Sequence, residues 1–203
     1  MGLLDWFRRA PSIVDRASLA EFLNTRAAFL VQKGIYDYTR GRSGPYFKTF
    51  VHEAEFKTAV EESRWKSYPF SLAVVTEMVH GVLLPLTGEP VRLAAVLRDI
   101  ALEVIDSYPV PAALGAEQWA ALRTEMVQQI EGIALHPPKM VKDIAIPFAK
   151  PFFDNMPIHE EWRKNDFEQI RYQLRVNLIS MHRDFTKYAD LPRLAAAIEP
   201  VAA

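Results

Sequence analysis

The chain has 203 residues, of which 50% are hydrophobic and 24% charged, a globular mixture that excludes a disordered or fibrous protein. Its 24 basic and 25 acidic residues nearly cancel, so nucleic acid is not an expected partner. The chain has no cysteine, which excludes disulfides, thiolate metal sites and a cysteine nucleophile.

The first 16 residues are predicted to form an amphipathic leader. Apolar Leu3, Leu4, Trp6 and Phe7 stand beside charged Asp5, Arg8 and Arg9. The segment lacks the long apolar run of a secretory signal, so we expect a cytoplasmic protein. Two roles stay open for the leader: weak contact with a membrane surface, or docking onto the body of the protein. Residues 17–203 are predicted to form a single helical domain.

The first helix is predicted from a capping box in which Ser18 is the cap and Glu21 its partner. Apolar residues then recur at three- and four-residue steps to about Arg40, which is the period of a helix with one buried face. The glycines and proline of residues 41–45 are expected to end it. A second helix is predicted over residues 51–65.

Residues 69–86 form the most apolar stretch of the chain. Pro69 suits the first turn of a helix, and nearly every following side chain is apolar. Eighteen residues is the short limit for a membrane span, and Glu77, His80 and Pro85 fall inside the stretch. The segment is therefore predicted to be the central helix of a soluble bundle.

The remaining sequence predicts three more helices and one irregular segment. A fourth helix is predicted up to about Ser107, a fifth around residues 119–133, and a last one from the capping signal at residues 165–168 to about Ala189. Five prolines between residues 137 and 157 exclude one regular helix there. We expect an all-α, single-domain helical bundle of about six main helices, with this proline-rich irregular segment packed over it.

Glu77 and His80 are the most specific metal-ligand pattern in the chain. Three residues is nearly one helical turn, so both side chains leave the same face and could bind one metal. With His182 as a third ligand, the pair would form an iron, manganese or zinc site. We favour instead a buried histidine that hydrogen-bonds to its own helical neighbour, and the metal site is the alternative.

Two further groups are candidates for contact with a ligand or partner. One is the basic and aromatic region that contains Tyr36, Arg40, Arg42, Tyr46 and Phe47; tyrosine and arginine are enriched at protein interfaces. The other is a polar cluster on the last helix, formed by Arg171, Arg175 and Asn177.

No complete catalytic motif is present. The sequence lacks the glycine-rich phosphate loops, G-x-S-x-G and H-E-x-x-H. The leading hypothesis is a soluble binding protein without a cofactor, an adaptor, assembly factor or regulator that meets a protein partner or a second copy of itself. A metal-dependent helical enzyme and a carrier of a small apolar ligand are the alternatives, so catalysis is left open.

Overall fold

The computed structural model of the chain describes residues 13–198, and the regular structure of this range is helical. The α-helices are α1 Arg16–Ser43, α2 Phe47–Phe50, α3 Ala54–Thr87, α4 Pro90–Asp106, α5 Gly115–Gly132, α6 Val141–Ile144, α7 Ile146–Asp154, α8 Glu160–Arg163, α9 Phe167–Tyr188 and α10 Leu191–Ile198, with 3-10 turns at Gly44–Tyr46 and Ile133–Leu135. Within 13–198 the β structure is one isolated bridge between Ile13 and Ala189. The all-α prediction is confirmed.

Helix α1 begins two residues before the predicted cap. Asp15 is the N-cap, and its carboxylate accepts a hydrogen bond from the Ser18 amide at 2.8 Å. The Ser18 hydroxyl accepts one from the Asp15 amide in return, at 3.1 Å. The capping box is therefore Asp15 with Ser18, and the predicted box of Ser18 with Glu21 is wrong. The helix also continues three residues beyond Arg40, to Ser43.

Helix α3 joins the two helices predicted at 51–65 and 69–86 into one helix of 34 residues, with Pro69 and Pro85 inside it. A proline within a helix removes one hydrogen bond and costs ~3 kcal/mol. Every residue from Ser67 to Thr76 is buried, and burying one large apolar side chain contributes about 1.5–3 kcal/mol. Packing around Pro69 therefore outweighs the local preference for a break.

Helix α3 is the centre of the bundle, with contacts to α1, α4, α5 and α9. It is long and apolar enough to cross a membrane by length and composition alone, since its most apolar window has a mean hydropathy of 1.5. However, 61% of that window is buried inside the protein. Such burial is typical of a core helix. The buried part of the segment predicted at 69–86 lies mainly between Pro69 and His80, whereas Leu86 at its end is 50% exposed.

The proline-rich segment packs on the bundle as short helices, as predicted. Helix α7 places Pro147 in its first turn, where a missing amide proton costs nothing, and Pro151 further along. Its buried side chains include Phe148, Phe152 and Phe153, and α6 and α7 both contact α9 and α3. Most of the predicted leader, residues 1–12, lies outside the described range, so both roles proposed for it stay predictions.

Candidate functional site

An open groove separates the C-terminal half of α1 from the N-terminal half of α3, and we call it the α1–α3 groove. Its volume is about 490 Å³. Its walls are mainly apolar and are formed by Gln32, Ile35, Tyr36, Thr39, Phe47, Val51, Phe56, Lys57, Val60, Glu61 and Arg64. The short helix α2 and the turn before it connect α1 to α3 at this end of the bundle, and Phe47 of α2 lines the groove.

Two of the predicted contact residues line this groove. The rings of Tyr36 and Phe47 meet edge to face, with centroids 5.2 Å apart. Phe47 is buried, whereas Tyr36 is 48% exposed. Tyr46 lies nearby in sequence and is 71% exposed, but it is not part of the lining. Phe47 thus fixes the orientation of a tyrosine that stays accessible to solvent.

The charged residues of the groove differ in how far they are already paired. Glu61 accepts from Arg64 at 3.2 Å and from the Trp65 indole at 3.1 Å. Lys57 is exposed and forms no ion pair with any residue between 13 and 198. Arg40, next to the lining residue Thr39, is exposed and equally unpaired within that range. Lys57 is therefore the charged residue of the groove lining that has no ion-pair partner within residues 13–198, and its charge is positive.

Thr39 adds a polar atom to an otherwise apolar wall. The residue is buried, and its hydroxyl has no hydrogen-bond partner. A buried hydroxyl without a partner costs about 1–3 kcal/mol. The groove wall therefore contains one hydrogen-bonding group that the protein itself does not satisfy.

Arg42, the remaining basic residue predicted here, contacts other residues of the chain, although its side chain is 44% exposed. Its guanidinium donates to the Trp162 carbonyl at 2.7 Å and lies 3.3 Å from an Asp166 carboxylate oxygen. The same oxygen accepts from the Tyr38 hydroxyl at 2.8 Å. Burial and this hydrogen bond raise the pKa of Tyr38. Arg42 thus connects the end of α1 to the start of α9.

In the polar cluster predicted on α9, both arginines also form contacts within the chain. Arg171 pairs with Glu168 at 2.5 Å, and Arg175 donates to the Lys142 carbonyl at 2.7 Å. Asn177 is half-buried rather than buried. Arg175 thus joins α9 to α6, whereas Arg171 pairs within α9. No cavity described for residues 13–198 is lined by the three residues.

The three predicted metal ligands do not come together. Among residues 13–198 no group of three or more histidine and carboxylate side chains is placed to hold a metal ion. His80 Nε2 donates to the Pro90 carbonyl at 3.1 Å, and Glu77 accepts from Lys139 Nζ at 2.8 Å. This corrects the site predicted from Glu77, His80 and His182. The physical reason is that each side chain of the E-x-x-H pair is turned to a different partner.

His80 is the buried structural histidine that the sequence favours, but its partner is Pro90 at the start of α4 and not a neighbour on its own helix. It is 2% exposed, and burial lowers its pKa below the ordinary value of 6.5. The neutral ring joins α3 to the first turn of α4 through the Pro90 carbonyl.

A second space, which we call the α7 cavity, lies between α3, the end of α5 and the proline-rich segment. Its volume is about 340 Å³. Its lining combines apolar side chains with a polar end formed by Gln129, Glu77, His136 and Lys139. The sequence predicts that the proline-rich segment packs over the bundle, but it does not predict the polar end of the cavity beneath it.

Comparison of the chain with protein-family models, with curated proteins and with solved structures finds no match.

One polar cluster was missed by the sequence reasoning. Asn24 Oδ1 accepts hydrogen bonds from the hydroxyls of Tyr68 and Tyr108, both at 2.7 Å. The two tyrosine rings also pack against Trp65. Burial raises the pKa of Tyr68, so its hydroxyl stays a protonated donor. The cluster joins α1, α3 and the end of α4, and its residues line none of the cavities described for residues 13–198.

Proposed function

We propose that the protein is a soluble, cytoplasmic binding protein, an adaptor, assembly factor or regulator, whose partner contacts the α1–α3 groove. The observation that supports this is an open groove of about 490 Å³ with mainly apolar walls and a half-exposed tyrosine at its edge. Tyrosines held in this way are frequent anchors of protein interfaces.

The chemistry of the groove indicates the kind of segment that it accepts. Two helices that form apolar walls can take up the apolar face of a third, amphipathic helix. Lys57 is an unpaired cation within the lining, so an acidic residue beside the apolar face would be favoured. The partner is therefore a protein segment with apolar side chains and at least one nearby Asp or Glu.

Affinity capture with matched variants tests this proposal. Wild-type protein, Tyr36→Ala and Tyr172→Ala are used as baits, and captured proteins are quantified by mass spectrometry. Tyr172 is the control because it is 66% exposed on α9, far in sequence from the groove. Loss of an interface tyrosine costs roughly 2 kcal/mol, about thirtyfold in affinity.

The expected result is a partner that wild type and Tyr172→Ala recover equally and that Tyr36→Ala fails to recover. A second copy of the chain as partner would give a dimer in light scattering that only Tyr36→Ala converts to monomer. A set of captured proteins and a molar mass that Tyr36→Ala leaves unchanged would contradict the proposal.

A second function, carriage of a small ligand, is supported by the α7 cavity. A cavity of about 340 Å³ falls within the range of roughly 300–1,000 Å³ that is typical of small-molecule sites. It lies between the central helix and the proline-rich segment. Native mass spectrometry of the purified protein tests this proposal: a co-purified small molecule is expected, and it should be released when the protein is denatured.

A further inference from the structure

We propose that the α7 cavity binds a small amine, with the ammonium group at Glu77 and an apolar or aromatic body against the walls. This inference rests on the carrier function proposed above and names the chemical class of the ligand. It is independent of the α1–α3 groove.

The walls of the α7 cavity provide a place for the body of such a ligand. They are formed by Phe70, Ala73, Val74, Ile144, Pro147, Phe148 and Pro151. Phe70 and Phe148 supply aromatic rings, and aromatic faces attract cations as well as apolar groups. The volume of about 340 Å³ is near the lower end of ligand cavities and favours a small molecule.

Glu77 is the group at the polar end that is most withdrawn from water. Its side chain is 14% exposed, against 33% for Lys139 and 36% for His136. Lys139 Nζ donates to Oε1 at 2.8 Å. His136 Nε2 lies 4.0 Å from the same oxygen, which is too far for a hydrogen bond.

The carboxylate of Glu77 keeps one oxygen that no protein donor from residues 13–198 occupies. Its second oxygen, Oε2, accepts no hydrogen bond from the residues described, although a carboxylate has about four acceptor positions. Lys139, by contrast, can direct its remaining N–H groups to solvent. Oε2 is not among the buried atoms that lack a partner, so it is open to solvent or to a ligand in the cavity. The ligand group that complements this negatively charged acceptor is a cationic donor.

Lys139 already shows that an ammonium group fits beside this carboxylate. It belongs to a stretch, residues 137–140, without regular secondary structure, so its side chain can be displaced without breaking a helix. An anionic ligand fits less well, because it would have to draw Lys139 away and leave Glu77 charged, mostly buried and unpaired.

Calorimetric titration of the full chain with three probes tests the ligand class. The probes are 2-phenylethylamine, 2-phenylethanol and 3-phenylpropionate, which share an aromatic body and differ in charge. The amine is expected to bind at least tenfold more tightly than the alcohol and the carboxylate, because a charge-assisted hydrogen bond contributes roughly that much.

Substitutions at the polar end of the cavity are expected to change the affinity for amines and the affinity for anions in opposite directions. Glu77→Gln should reduce amine affinity about tenfold and leave alcohol affinity unchanged. Lys139→Met should increase amine affinity several-fold, because a competing ammonium is removed. Lys142→Met is the matched control, since Lys142 is exposed and does not line the cavity. Melting curves verify that each variant is folded, and Lys139→Met provides the test if Glu77→Gln is not.

Three results would overturn the inference in distinguishable ways. Equal affinity for amine and alcohol removes the amine class but leaves the carrier function. Tighter binding of the carboxylate, weakened in Lys139→Met, identifies an anion site instead. Binding of none of the three probes removes both the ligand class and the carrier function.

Discussion

At the scale of single residues, Gly34 is required by the close approach of α7. A Cβ atom at this position would lie 2.6 Å from Cζ of Phe152, closer than atoms can pack. Phe152 is almost fully buried, so its ring has little room to move. The sequence marks Gly34 only as a glycine inside a helical pattern, and the neighbour that demands it is more than a hundred residues away.

Replacement of Gly34 should therefore destabilise the protein. We expect Gly34→Ala to lower the free energy of unfolding by ~1–3 kcal/mol, because overpacking outweighs the gain in helix propensity. Gly81→Ala is the matched control within a helix, as nothing lies within 4 Å of its added Cβ; it should gain ~0.5–1 kcal/mol. Urea unfolding measures both. A stabilised Gly34→Ala would show that α7 does not pack against α1 at this point.

His80 makes stability depend on pH in a defined direction. Burial lowers its pKa in the folded protein below 6.5, so the unfolded chain binds more protons as the pH falls through this region. Its contribution to stability is therefore complete above pH 6.5 and is lost as the pH falls toward the folded-state pKa.

We expect His80→Gln to lack this part of the pH dependence, because glutamine keeps a donor for the Pro90 carbonyl but does not titrate. Unfolding measured from pH 7.5 to 5 should show a shallower decline for His80→Gln than for wild type. His52→Gln, at an exposed position, should decline as wild type does. An unchanged slope in His80→Gln would mean that His80 is not held neutral by burial.

At the scale of helices, the side-chain amide oxygen of one residue links three elements through hydrogen bonds. Asn24 in α1 accepts from Tyr68 in α3 and from Tyr108 just after α4. We expect Asn24→Ala to lower the free energy of unfolding by ~2 kcal/mol, because a buried tyrosine hydroxyl loses its acceptor.

A double-mutant cycle with Tyr68→Phe distinguishes this bond from simple loss of packing. The two changes should cost less together than the sum of each alone, since phenylalanine has no hydroxyl to satisfy. Asn165→Ala, at an exposed position, is the control and should change stability little. Fully additive effects of Asn24→Ala and Tyr68→Phe would contradict the assignment.

The helices are predicted best from the periodicity of their apolar residues. The apolar stripes of α1 and α9 and the fully apolar stretch of α3 depend on neighbours three or four residues apart, and they were predicted correctly. The break at Pro69 was not, because the burial that overrides a proline comes from other helices. The local sequence also predicted the wrong N-cap for α1, because Asp15 and Ser18 both have side chains that can cap a helix.

The candidate sites were predicted less completely, for the same reason. Tyr36 and Phe47 were found because they lie close together in a stretch of the sequence that is rich in aromatic and basic residues. The polar end of the α7 cavity joins Glu77 to Lys139 across 62 residues, and the Asn24 bond to Tyr108 spans 84. No local pattern relates residues that far apart. The local spacing of Glu77 and His80 suggested that both bind one metal ion, whereas each side chain contacts a different partner.

At the scale of the whole molecule, α3 determines both proposed sites. Its N-terminal half forms one wall of the α1–α3 groove through Phe56 and Val60, and its middle forms one wall of the α7 cavity through Phe70 and Glu77. Both sites depend on the same condition, namely that α3 is a rod enclosed by protein along its middle and open to solvent at its first turns.

Hydrogen exchange of the α3 amides, followed by mass spectrometry in buffer without detergent or lipid, tests this condition most directly. The amides of residues 72–79, where Leu72, Val75 and Val79 have no exposed surface, should be among the slowest in the protein, and those of residues 54–62 should exchange faster. If residues 72–79 exchange as rapidly as 54–62 in buffer and become protected only after lipid vesicles are added, α3 is not the core helix of this bundle.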